Sequence, residues 1–292
     1  MNKIIECDHI THYYGSRLIY ENLCFDVEQG KILGLLGKNG TGKTTIINIL
    51  NGYLKPRSGV CRLFGEDMEH LTPATKARIG LLLEGHVQHA YFTVEQIERF
   101  YSAFFPHWKK EAYYELLKKL KVTPEQKLTT MSCGQRSQVA LGLLFAQNPD
   151  LLILDDFSMG LDPGYRRLFV EYLKEYVTAE NKTVFLTSHI IQDMELLIDD
   201  CMIMDYGRLL LHKPVAEIMD NFRRYRFEGS PEINLSSDKD FWNPAVLGNK
   251  WETYSFLPEA EVKSRLERYS VSGIQVERLS LEDAFIGLTG KY

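Results

Sequence analysis

Short apolar runs of strand length alternate with stretches of helical periodicity along most of this chain, and the two periods predict its elements. Residues 4–7, 11–14 and 23–27 read as strands, closed by turns at Gly15-Ser16 and Gln29-Gly30. Residues 32–36 are uniformly apolar and lead through a glycine-rich turn into a helical stretch over 43–50. Another strand, 60–65, follows the Gly/Pro-punctuated turn 52–59, and a helix opens at Thr72-Pro73, where a proline's missing N–H costs nothing. Residues 79–83 and 183–189 read as buried strands, the second ending in a His, and 151–154 is apolar on both faces, the mark of a central parallel strand covered by helices. A helix over 165–176, one after His189, and a hairpin around Tyr206-Gly207 complete the alternation. Strands and helices in that order predict the α/β class.

The pattern changes at Val94. Ile97, Phe100, Tyr101 and Phe104, then Tyr113, Tyr114, Leu116, Leu117 and Leu120, recur at helical spacing, interrupted at Pro106. This predicts a helical insert of about four helices within residues 90–148, ending near Asn148-Pro149. Its aromatic surplus (Tyr101, Phe104, Phe105, Trp108, Tyr113, Tyr114) is expected in the core, the alternative being an exposed docking groove for a partner helix. Beyond Asp220 the pattern restarts with strands at 225–228, 250–256 and 274–279 and helices at 259–269 and 281–288. The chain therefore divides into residues 1–220 and a small α+β unit, 221–292.

Composition narrows the class. The 292 residues are 45% hydrophobic and 25% charged with a net charge of -5, which argues against nucleic acid as partner. Apolar runs are too short to span a bilayer, and the first residues lack the apolar core of a secretory signal. Cys7, Cys24, Cys61, Cys133 and Cys201 are scattered without a C-x-x-C pair, so thiols in a reducing cytosol are expected rather than disulfides or a metal framework. A membrane role then requires a partner.

Chemistry concentrates after the strand 32–36. Gly37, Gly42, Lys43 and Thr44 fit G-x-x-x-x-G-K-[ST], the phosphate-binding loop. A triphosphate needs a concave ring of backbone N–H donors, which side chains at the glycines would hold away. The helix behind adds unsatisfied amides and a positive dipole end. Lys43 can reach the β- and γ-phosphates, and the Thr44 hydroxyl can hold Mg²⁺. Asp155 and Asp156 end the strand 151–154, beyond the carboxyl edge where ligands of open α/β sheets bind. Asp155 is placed to hold Mg²⁺ directly or through water. For Tyr13 and Tyr14, period 2 predicts one packed inward and one in solvent; the alternative is stacking on a nucleotide base.

Together these segments resemble the ATP-binding subunit of an ABC transporter over roughly residues 3–220, a P-loop NTPase with an antiparallel β subdomain and a helical insert, here followed by a small C-terminal α+β domain. The resemblance places Gly37, Lys38, Asn39, Gly40, Thr41, Gly42, Lys43, Thr44 and Thr45 in the ATP phosphate loop and Tyr14 against the adenine. It places Asp155 in the Mg²⁺-site strand and His189 at the γ-phosphate. Met131-Ser132-Cys133-Gly134-Gln135 matches the signature motif, and Gly160-Leu161-Asp162-Pro163 the loop that crosses the dimer interface. In that family Ser132, Gly134, Gln135 and Asp162 would act on the ATP of the opposite subunit, so a homodimer or heterodimer is implied.

Departures fall on the hydrolytic side. Asp156 stands where the family has a Glu that polarises the attacking water; one methylene shorter, it falls about 1 Å short, which can cost on the order of a hundredfold. Glu84 replaces a Gln that touches Mg²⁺ and the water, keeping an oxygen ligand but adding negative charge; Phe157 replaces a Pro and Cys133 a Gly. The resemblance implies an ATPase, slowed by these changes. Residues 281–290 resemble the ending of ATPase subunits of ABC-2-type exporters, which implies an integral membrane permease as partner and a place on the inner face of the cell membrane. The alternative is a non-transport ABC-fold ATPase with a regulatory or structural role, against which the acidic balance and the lack of a long coiled-coil insertion weigh.

Overall fold

The computed structural model of the chain describes residues 2–83, 91–119, 121–157 and 161–290. Two long strands, β1 (Lys3–Tyr14) and β2 (Arg17–Glu28), open it as a hairpin. Sequence periodicity splits β1 in two, but the strand runs through. Its irregularity is absorbed in the ladder, where His9 takes φ 52 and the register with β2 slips between Cys7 and Ile10. Next come β3 (Ile32–Gly37), α1 (Lys43–Leu50), β4 (Ser58–Leu63), β5 (Glu66–Asp67), α2 (Pro73–Lys76) and β6 (Ile79–Leu82). β4 and β5 complete an antiparallel sheet of order β2-β1-β4-β5. Cys7 and Cys61 face each other across it with sulfurs 2.9 Å apart, so thiols far apart in sequence meet in the fold. Burial and the Cys61 thiol push Cys7 well above the ordinary thiol range.

Among the described residues, α3 (Val94–Ser102), α4 (Lys110–Lys119) and α5 (Cys133–Ala146) form the helical part, with a 3₁₀ turn at Leu128–Thr130. That is fewer α-helices than the periodicity predicts, because Pro124 and Thr129-Thr130 favour turns between α4 and α5. Thr93 and Gln96 close a capping box on α3. Tyr113 is fully buried, and its hydroxyl donates to Val94 O at 2.9 Å. Phe104 departs from expectation: it is 64% exposed at the end of α3, edge-on to the exposed Phe100.

The strand and helix alternation continues with β7 (Leu151–Leu154), α6 (Pro163–Glu180), β8 (Thr183–Thr187), α7 (Ile191–Leu197), β9 (Asp200–Asp205), β10 (Arg208–Pro214) and α8 (Val215–Asn221). The central sheet has the order β10-β9-β3-β8-β7-β6, parallel except for the edge strand β10. β3 lies inside it between β8 and β9, so the turn after β3 opens at the carboxyl edge beside the ends of β7 and β8. Gly34 of β3 allows α7 to pack closely. A Cβ there would stand 2.7 Å from Met194 Cε and 2.8 Å from Ile198 Cδ1. Gly34→Ala is expected to cost about 1–3 kcal/mol in chemical denaturation; an unchanged midpoint would mean that α7 backs away freely.

The chain ends with β11 (Arg223–Glu228), β12 (Trp242–Leu247), β13 (Lys250–Ser255), α9 (Glu259–Glu267), β14 (Ser272–Arg278) and α10 (Leu281–Thr289). The four strands form an antiparallel sheet of order β12-β13-β11-β14, with a core of its own around Tyr225, Phe227, Trp251, Val262 and Leu266. Periodicity misses β12 because Asn243-Pro244 reads as a breaker; as an edge strand β12 tolerates the proline. α10 does not share that small core. Leu281, Ala284, Phe285 and Leu288 pack into the large core that holds α5, α6 and α7.

Candidate functional site

β3 ends at Gly37, and the chain turns through residues 38–42 into α1. Gly40 and Gly42 adopt φ 78 and φ 102, where a side chain is strained. A Cβ on Gly42 would also meet Ile19 Cγ2 and the Tyr20 hydroxyl at 2.6 Å. β2 shapes the loop from below: the Tyr20 hydroxyl donates to Gly42 O, and Arg17 Nη2 donates to Gly40 O at 2.9 Å. Within the loop, Thr41 Oγ1 donates to Lys38 O at 2.8 Å. The first turn of α1 points N–H groups without intrahelical acceptors toward the loop's concave side.

Lys43 is folded back over this loop, with Nζ donating to Gly37 O at 2.7 Å and to Lys38 O at 3.2 Å. Burial lowers its pKa, while the charges of Asp156 and Asp155 pull it back up. The buried Asp155 accepts from Thr187 Oγ1 at 2.8 Å, and that hydroxyl in turn accepts from Asp156 N at 2.9 Å. Asp156 itself sits at φ 44, a left-handed conformation that Asp tolerates better than most residues. Both of its carboxylate oxygens lie on His189 Nδ1, at 2.7 and 2.8 Å.

A cleft of about 270 Å³ opens between these groups. Of the residues singled out by sequence, Tyr14, Asn39, Gly40, Gly42, Lys43, Thr44, Thr45, Asp155 and Asp156 line it. Gly37 and Thr41 support the loop from behind, and Lys38 points elsewhere. His189 joins through Asp156. Tyr13 and Tyr14 are 40% and 50% exposed, so neither packs inward as period 2 alone predicts. The signature residues are not among the lining. Ser132 caps α5 in a reciprocal box with Gln135, Gly134 is buried against Tyr165, and Asp162 caps α6 by accepting from Tyr165 N at 3.0 Å. Glu84 and Gly160 lie outside the described residues. Phe157, at the departure from Pro, is buried and stacks on Phe169 with centroids 4.7 Å apart.

Arg17, Tyr20 and Thr187 belong to the site without having been singled out by sequence. Thr187 had a local signal, two residues before His189 at a strand's end; Tyr20 had none, since its bond to Gly42 exists only after β2 is laid under the loop. A larger hollow of about 460 Å³ lies on the third sheet, where the lining Arg226 pairs with Glu252 at 3.0 Å and, outside the lining, with Glu277 at 2.9 Å. Convergent donors, a facing buried carboxylate and an accessible hydroxyl make the smaller cleft the one suited to a triphosphate with a divalent cation.

Residues 20–158 match the ABC transporter family. Over nearly its whole length the chain is 33% identical to the bacitracin transport ATP-binding protein of Bacillus licheniformis, covering 99% of this chain and 98% of that one. The chain belongs to the ABC transporter ATP-binding proteins. It is also 28% identical to a Nod factor export ATP-binding protein of Rhizobium johnstonii, over 98% of this chain and 95% of the other. Among solved structures, the ATP-binding subunit of an ABC transporter superposes with a TM-score of 0.65 at 23% identity, over 74% of this chain and 92% of that one. A bacterial Atm1-family ABC exporter with ATP bound gives 0.63 at 19% identity, over 74% and 40%. The fold is therefore that of the ABC ATPase, and the chain is an ATP-binding ATPase. Among the described residues no helix is long and apolar enough to cross a membrane. An ABC ATP-binding protein of this kind works with separate membrane components.

Proposed function

We propose that this chain powers a separate membrane exporter, binding and hydrolysing ATP as it closes on a second ATPase subunit. The carrying observation is the cleft itself, in which Lys43, Thr44, Asp155 and Asp156 converge, on a chain alignable end to end with a bacitracin transport protein. Residues 37–45 bind the phosphates, and Tyr14 stacks on the base. Thr44 and Asp155 are the residues that would hold Mg²⁺, with Glu84 as a third candidate from the sequence. When bound, the cation neutralises charge developing on the phosphates.

Asp156 takes the proton of the attacking water, and His189, which shares the Asp156 carboxylate, turns to the γ-phosphate. Ser132, Gly134, Gln135 and Asp162 serve the partner subunit's ATP. Their placement outside the cleft favours a role in trans, since α5 presents Ser132 at its exposed N-terminus. Residues 1–220 form the ATP-binding domain and 221–292 an accessory domain. The permease is of the ABC-2 type, and the subunit sits on the inner face of the membrane. The test is purification from the native host membrane: an integral membrane protein should co-purify and stimulate phosphate release. A chain that elutes without one, from membranes solubilised mildly, overturns the transport reading.

A further inference from the structure

Lys38, next to the first loop glycine, does not line the cleft. The residue is 9% exposed, and Nζ donates to Thr289 O at 2.8 Å, across 251 residues of sequence. Thr289 closes α10, where the last carbonyls have no intrahelical donor and carry the negative end of the dipole. That helix end is itself fixed. Asn243 Nδ2, on β12, donates to Gly287 O at 2.7 Å and to Leu288 O at 3.0 Å. On the loop side, the Lys38 carbonyl receives Lys43 Nζ and Thr41 Oγ1. The other end of α10 is tied to α7, which starts two residues after His189. Leu281 N donates to Glu195 at 2.8 Å, and Gln192 Nε2 donates to Glu282 at 2.8 Å.

The geometry points to Lys38 as a positioning residue: through the end of α10 it couples the C-terminal sheet to the phosphate loop, so that the seating of that sheet sets ATP affinity. The coupling rests on residues 37–45 being the phosphate loop. A buried ammonium holds its place strongly once paired, because pulling a desolvated charge off an acceptor is costly. Displacing α10 moves the Lys38 backbone, and with it the carbonyl on which Lys43 rests.

The test is MgATP titration of the full chain by calorimetry, with Lys38→Met, Lys38→Arg, Asn243→Ala and the double variant Lys38→Met/Asn243→Ala. Lys38→Met is expected to weaken binding about tenfold, and Lys38→Arg to restore most of it. Asn243→Ala, on the C-terminal sheet and outside the cleft lining, is expected to weaken binding several-fold, and the double variant to be no weaker than Lys38→Met alone. Hydrogen exchange gives a second readout: a non-hydrolysable ATP analogue should protect the end of α10 in the parent and leave it unprotected in Lys38→Met. Parent-like affinity in Asn243→Ala, or additive losses in the double variant, would overturn the coupling while leaving the phosphate loop intact. If the parent itself fails to bind MgATP, the phosphate-loop reading falls first.

Discussion

Lys43→Ala is expected to weaken ATP binding by about a hundredfold or more and to abolish ATP-dependent dimerisation. A hydrogen bond to a charged group contributes roughly 1.5–3 kcal/mol, and an ammonium reaching two phosphates makes two of them, about 3–6 kcal/mol or two to four powers of ten. The effect on the fold itself should be small. Without nucleotide, Lys43 Nζ rests on two carbonyls of its own loop, Gly37 O and Lys38 O, and bridges no distant elements. Calorimetric titration with MgATP and size-exclusion chromatography with a non-hydrolysable analogue check this against an unchanged melting temperature. A variant that dimerises with ATP as the parent does would remove Lys43 from the phosphate site.

Asp156→Asn is expected to lower kcat by about two to four powers of ten, the usual range for losing a positioned general base. ATP affinity should stay within a few-fold of the parent, because the amide keeps the shape of the carboxylate and the loop 37–45 is untouched. ATP-bound dimers should then accumulate, since release needs hydrolysis. Phosphate-release kinetics at saturating MgATP are the measurement; a kcat near the parent value would show that Asp156 is not the base. Asp156→Glu should act in the opposite direction, raising kcat by about tenfold as the carboxylate gains a methylene of reach. It should also cost about 1 kcal/mol of stability, since φ 44 at this position suits Asp better than Glu. An unchanged or lower rate would mean that His189, which grips both Asp156 oxygens, has already adapted the site to the shorter side chain.

Much of the candidate site was legible because its residues are local in the chain. A phosphate loop is built from consecutive backbone amides and the helix behind them, so Gly37 to Thr45 carry their own geometry with them. The same holds for Asp155, which inherits its place from the end of an apolar strand; Ser132 and Asp162 were legible only as caps of the helices they precede, outside the cleft. The run 151–154 likewise announced a central parallel strand, because burial on both faces leaves no other composition. Where periodicity failed, a local breaker hid an edge strand, as Asn243-Pro244 did in β12, or a ladder irregularity at His9 broke the pattern of a strand that continues.

The tertiary structure decided what each polar group meets. Tyr20 lies under Gly42, Thr187 holds Asp155, His189 takes Asp156, and Lys38 ends on a helix that closes the chain. None of these pairs has a spacing that a motif could record, because a hydrogen bond depends on distance in space and is indifferent to separation along the chain. The sequence by itself determined that this protein binds a nucleotide triphosphate and belongs with the ABC ATPases, since those properties reside in contiguous motifs. Only the fold decided how that loop is supported and to what it is tethered, because buried polar groups must find partners, and packing chooses which element supplies them.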